Sequence, residues 1–162
     1  MTTAMALPRF DIQSIRPKAL GEITSLVENY PGVTPMLFAA GDLIIKEGDA
    51  SKNIYVILQG TYVVEQFSSL LDAPPVRLAE VRCEPETFSI VGEMAYIGDQ
   101  VRTASVRALT ETRALCLKPR HIDSIVTECP MLTLVIWRQF AQRLQDANRI
   151  IRETQALNNL WS

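Results

Sequence analysis

With 162 residues, 48% of them apolar and 21% charged, the chain can bury one core without disulfides and is too apolar to stay unfolded. A formal net charge of −2 supplies no global basic field for a nucleic-acid backbone, so direct DNA binding is not expected. The longest apolar runs, such as Met131 to Trp137, fall well short of the roughly 20 residues that cross a bilayer, so no membrane partner is expected either.

The opening "MTTAMALPRF" has no basic flank before an apolar core and no small-residue cleavage pattern, so residues 1–14 read as a tail rather than a secretory signal. Cys83, Cys116 and Cys129 are odd in number and lack C-x-x-C spacing, which speaks against a disulfide framework and a zinc site. A cytoplasmic protein with ordinary thiols is the expectation. Residues 15–162 then read as a single domain.

A helix is predicted over 15–30, with Pro17 in its first turn, Leu20, Ile23, Leu26 and Val27 at three- and four-residue spacing, and "NYPGV" as its stop. From 34 to 118 the texture changes to short β-branched runs: "DLIIKE", "NIYVIL", "TYVVEQ", "VRLAEV", "RTASVRAL" and "ALCLK". Glycines and prolines punctuate them, which predicts an antiparallel sandwich or barrel. Gly41, Gly48 and Gly60 sit at strand ends, where turns need positive φ.

Helices return over 119–160. Pro119 and Pro130 each suit a first helical position, and from Leu132 the chain has no further Pro or Gly. Ile136, Phe140, Leu144, Ala147, Ile151 and Leu157 line one side of the last helix; Arg138, Gln142, Asp146, Arg149 and Glu153 mark the other. A helix of this length outruns a small barrel, so its end must serve as a lid or a dimer seam. Trp137 is expected in the core and Trp161 at a lid or a free end.

"VGEMAYIGDQVRTASVRA" carries the chemistry. Gly92, Ala95, Gly98 and Ala104 keep bulk low, so backbone N–H groups can approach an anion, and Arg102 can complete a phosphate clamp with paired donors. Glu93 would repel a phosphate but can accept a hydrogen bond from a sugar hydroxyl. A carboxylate and an arginine so placed point to a ribose joined directly to a phosphate, and hence to a nucleotide.

The stretch "GEMAYIGDQVRTASV" resembles the phosphate-binding cassette of the cyclic nucleotide-binding domain family, with Gly-Glu-x-Ala, about six residues, then Arg, small residues and Val. The likeness extends upstream through "GDLIIKEGDASKNIYVILQG" and downstream through "RALTETRALCLKPRHIDSIVTECPML", covering about residues 15 to 157. The implied fold is α+β and mainly β: an antiparallel double-stranded β-helix, or jelly-roll barrel, flanked by an N-terminal helix and by C-terminal hinge and lid helices.

The resemblance implies that Glu93 accepts the ribose 2′-hydroxyl, that Gly92 and the Ala95 backbone line the sugar-phosphate, and that Arg102 pairs with the cyclic phosphate. Thr103 would offer a hydroxyl and an N–H beside Arg102, Val91 and Val106 would pack near the ligand, and Met94 and Ala104 would complete the lining. Thr103 suits either purine, with cyclic AMP favoured over cyclic GMP. Val91 stands where the family has Phe, and Tyr96 where Leu is commoner, so the local loop geometry is expected to differ.

Each reading has a plainer rival. Glu93 and Arg102 could be a solvated pair at a strand end, and Arg143, Arg149 and Arg152, candidates on the last helix for contacting the base or a partner, taken singly read as solvated charges. His121 lacks a catalytic partner and reads as a packing or surface residue. With no nucleophile elbow, Walker loop or metal motif, no enzyme and no cofactor are expected. The chain given stops at the long helix, where the family's transcription factors continue into a helix-turn-helix. The expected function is a cyclic nucleotide receptor that moves its C-terminal helix to signal to an unknown protein effector. The alternative is a non-binding scaffold that forms a homodimer through the same helix.

Overall fold

The computed structural model describes residues 17–68, 73–84 and 87–160. The expected tail over 1–14 and Trp161 lie outside them. Helix α1 spans Pro17–Glu28 and strands β1 to β3 follow at Thr34–Phe38, Leu43–Ile45 and Ile54–Gln66. Strands β4 and β5 cover Val76–Cys83 and Ser89–Val91. A short helix α2, Glu93–Ile97, leads through β6, Ser105–Ala108, and β7, Thr112–Leu117, to helices α3, Pro119–Glu128, and α4, Pro130–Leu160.

Every strand pair is antiparallel, and β3 is the corner of the barrel. Its first half pairs with β5 and β7, with β1 outside β7; its second half pairs with β4 and β6, with β2 outside β6. The register slips between Ile57 and Gln59, and Gly60 follows at φ 118°. A Cβ there would lie 2.5 Å from Thr112 Oγ1 and 2.7 Å from the Glu111 carbonyl, so only glycine lets β3 bend from one sheet into the next. The result is a curled antiparallel sheet closed as a half-barrel, mainly β, with helices packed on it.

Strand alternation divides the core in two. Ile54 and Val56 of β3, Ile90 of β5 and Leu115 and Leu117 of β7 face the helices, where Ile23, Val27, Ile122, Ile125, Leu132 and Val135 cover them. Ile57, Tyr62, Val91, Val106, Ala108 and Ala114 point the other way, into the barrel with Ile44 and Ile45. The strand ahead of α2 thus has Ile90 under the helices and Val91 inside the barrel.

Pro119 and Pro130 both open helices, and Cys129 alone separates α3 from α4. Proline has no N–H to continue a helical ladder, so Pro130 starts a new helix rather than extending α3. The first turns of α4 bury Leu132 and Val135. Trp137, expected in the core, is 66% exposed, because two further residues carry it about 200° round the helix from Val135. Leu144, Ile151 and Leu157 are exposed as well. His121 packs its ring against Gly32, where an added Cβ would lie 2.3 Å from it.

Candidate functional site

The site grows out of the end of β5. Gly92 turns the chain at φ 90°, and a Cβ on it would come within 2.8 Å of both Arg102 Nη1 and the Asn53 carbonyl. A larger residue therefore costs both backbone strain and the seat of the arginine. Helix α2 follows for five residues and ends where the Gly98 N–H donates to the Met94 carbonyl at 2.9 Å. Residues 99–104 then lead into β6.

This short loop buries both of its charged anchors, Glu93 at 3% and Arg102 at 4% exposure. They are not a solvated pair at a strand end. The Arg102 guanidinium donates to the Gly92 carbonyl at 2.6 Å and to the Asn53 carbonyl. Its backbone is gripped too: its N–H donates to the Asp49 carbonyl and its own carbonyl accepts from the Gly48 N–H, each at 2.9 Å.

Among the described residues Arg102 forms no ion pair within contact distance. Burial pulls its pKa down, while Tyr55, Glu93 and Asp49 oppose that pull from further off. A buried guanidinium capped only by carbonyl dipoles still lacks the counter-charge that makes burial of a cation favourable. An incoming anion would supply it.

Glu93 has found a partner on α4. Arg143 donates to its carboxylate, and the same guanidinium donates to the Ile90 carbonyl. One turn earlier, Gln139 Oε1 accepts from the Ile90 N–H at 2.9 Å and Gln139 Nε2 donates to the Phe88 carbonyl at 3.3 Å. Both polar groups of Ile90 are thus satisfied by the long helix, which holds the strand leading into the loop. Arg143, read from sequence as a solvated charge, belongs to the site. The signal that could have found it is phase: Leu132, Val135, Gln139 and Arg143 fall on one face of α4.

A family model of the cyclic nucleotide-binding domain matches residues 35–129, more than half of the chain. The chain belongs to the cyclic nucleotide-binding domain family. It is 29% identical to the lysophospholipase nte1 of Aspergillus fumigatus over 86% of this chain and 10% of that protein. It is 27% identical to isozyme 1 of the Drosophila melanogaster cGMP-dependent protein kinase over 75% of this chain and 13% of that protein. The chain therefore spans only a small part of these relatives, in which the module is one segment of a larger enzyme. The solved catabolite activator protein of Thermus thermophilus shares the fold with a TM-score of 0.65, 21% identity, 85% of this chain and 59% of that one.

The other residues singled out by sequence lie as follows in this cyclic nucleotide-binding domain. Ala95 is a buried residue of α2, Ala104 is half-buried, and Val91 and Val106 lie in the barrel interior. Met94 and Thr103 are exposed, and the Thr103 carbonyl accepts from Gln66 Nε2 at 2.8 Å. Inside the barrel the Tyr62 hydroxyl and Ser89 Oγ share a buried hydrogen bond of 2.7 Å, and burial pushes the Tyr62 phenol up to about 12. Tyr96, where the resemblance expects Leu, donates to the Asp123 carboxylate of α3, which pushes its own phenol up to about 12. That hydrogen bond ties α2 to α3.

A shallow groove lined by Leu43, Glu65, Phe67 and Arg107 includes neither Glu93 nor Arg102. Among the described residues no group of three or more His, Cys, Asp and Glu could hold a metal, and no helix is long and apolar enough to cross a membrane.

Proposed function

We propose that this domain is a receptor for a cyclic nucleotide, and that it signals by moving α4 against a protein partner. The observation that carries the reading is the buried Arg102, seated by Gly92 and capped by carbonyls without a carboxylate in contact. A cyclic phosphate offers that guanidinium paired acceptors and the missing negative charge. Glu93, with Arg143 upon it, accepts the ribose 2′-hydroxyl; Gly92, Met94, Ala95 and Ala104 keep the cassette low, and Thr103 stands beside the phosphate. Cyclic AMP is favoured over cyclic GMP in this reading, while Thr103 beside Arg102 suits either purine.

The signal follows from what holds α4. Gln139 and Arg143 fasten it to β5 and Glu93, while Tyr96 fastens α2 to α3, so a ligand that draws in the cassette acts on both helices at once. Only a nucleotide that binds one arrangement better than the other shifts the population between them. The domain itself performs no catalysis in this reading, and a reducing cytoplasm suits its three buried free thiols.

Calorimetric titration of the purified chain with cyclic AMP and cyclic GMP tests the proposal. Saturable one-to-one binding, tighter for cyclic AMP, is expected; absence of heat with both ligands, together with an unshifted melting temperature, would refute it.

A second reading is favoured by one observation. Trp137, Leu144 and Ile151 lie seven residues apart on α4 and are all exposed, the spacing of a two-helix seam. In a scaffold the helix would pair with a second copy and Arg143 would permanently occupy Glu93. Light scattering that finds a dimer indifferent to both nucleotides would favour this reading; a nucleotide-dependent change in mass or hydrodynamic radius would favour the receptor.

A further inference from the structure

Lys52 lies outside the residues assigned so far, in the turn between β2 and β3, yet it reaches the far end of the cassette. Its Nζ donates to Asp99 Oδ1 at 2.9 Å and to the Gln100 carbonyl at 3.0 Å. Here α2 has ended, Asp99 is in the left-handed region at φ 47° and Val101 is exposed, so the cassette's own hold on the turn is the Gly98 N–H on the Met94 carbonyl at 2.9 Å and a longer bond from the Gln100 N–H to the Ala95 carbonyl at 3.3 Å. Arg102 follows directly.

The same turn grips Arg102 from the other side, through the Gly48 N–H and the carbonyls of Asp49 and Asn53. Those three contacts are backbone groups fixed by the path of the turn. Lys52 adds the side chain that extends the grip to Asp99 and Gln100, three and two residues ahead of Arg102. An exposed ion pair between Lys52 and Asp99 would by itself contribute little, but the bond to the Gln100 carbonyl fixes main chain and is independent of the carboxylate.

We propose, resting on the receptor reading above, that Lys52 is a positioning residue for the anion, fixing the turn at 98–101 so that Arg102 is in place before the ligand arrives. Binding then loses less freedom on ordering the loop, and the gain appears as a slower release of ligand.

The test uses the full chain as wild type, Lys52→Met, Lys52→Arg and Asp99→Asn, with cyclic AMP and cyclic GMP as probes. For the ligand-free proteins, amide exchange at residues 98–102 and the melting temperature are read; for the complexes, Kd and the dissociation rate. Lys52→Met is expected to speed exchange at 98–102, leave the melting temperature unchanged, and weaken binding about fivefold through faster dissociation, the scale of a lost preorganising contact. Lys52→Arg is expected to restore both readouts, and Asp99→Asn to fall between, because the Gln100 contact remains. A wild type that binds while Lys52→Met binds equally well with unchanged exchange overturns the assignment of Lys52. A wild type that binds neither nucleotide overturns the receptor reading and this inference with it.

Discussion

Arg102 shows how a single side chain sets the cassette's architecture. Its guanidinium needs Gly92 to be glycine, because a Cβ there would stand 2.8 Å from Nη1. Gly92→Ala is expected to lower stability by about 2 kcal/mol, from positive φ and the displaced arginine together, measured by denaturant unfolding. Tyr62 gives a second residue-scale prediction. Its phenol is raised from 10.0 to about 12 by burial, so above pH 10 the unfolded chain releases a proton that the folded one retains. Its contribution is therefore complete below pH 10 and lost as pH rises through 12. Tyr62→Phe should flatten that alkaline loss while costing about 1 kcal/mol at neutral pH, since Ser89 loses its partner. Tyr96, raised by Asp123, titrates in the same window, so the Tyr62 share is read as the difference between variant and wild type. At this scale Glu93, Arg102 and the glycines are visible in the sequence through their spacing. Arg143 and Lys52 are not, because each meets its partner across 40 residues or more of chain and neither spacing nor composition records that meeting.

Two elements govern how the site is built, and both were partly legible. The change of texture at residues 34 and 118 marks the barrel, and the two prolines mark the helix starts, because strand alternation and helix initiation are local properties. The corner in β3 is not local: Gly60 announces a turn, whereas in the structure it lets one continuous strand serve two sheets. Gly60→Ala is expected to cost about 3 kcal/mol, since the added Cβ would meet the backbone of Glu111 and Thr112, which has nowhere to move. In α4 the apolar stripe calls for a lid or a seam at its far end; its outer members face solvent, and the helix is held at the site by Gln139 and Arg143. Arg143→Ala leaves Glu93 buried alone and is expected to cost about 1–2 kcal/mol, a figure kept low because the Arg143 side chain is 41% exposed. Amide exchange of β5, read at Ile90, should accelerate in the same variant.

For the whole molecule, the family is shown by its model match, and the fold by the shared half-barrel and helices. The proposed receptor function joins these to the geometry: a buried cation with no contacting anion among the described residues, a buried carboxylate paired with Arg143 of α4, and a hydroxyl link from α2 to α3. The sequence could suggest a lid or a seam for α4 but not choose between them, because that choice depends on what covers Trp137, Leu144 and Ile151. The claim on which the account rests is that Arg102 receives the cyclic phosphate. Its most direct test is side-by-side calorimetry of wild type and Arg102→Ala with cyclic AMP, with circular dichroism to verify that the variant is folded. The account predicts a loss of more than about 1.5 kcal/mol in binding free energy, upwards of tenfold in Kd, for the lost charge-assisted pair. A folded variant that binds with the Kd of wild type would contradict it.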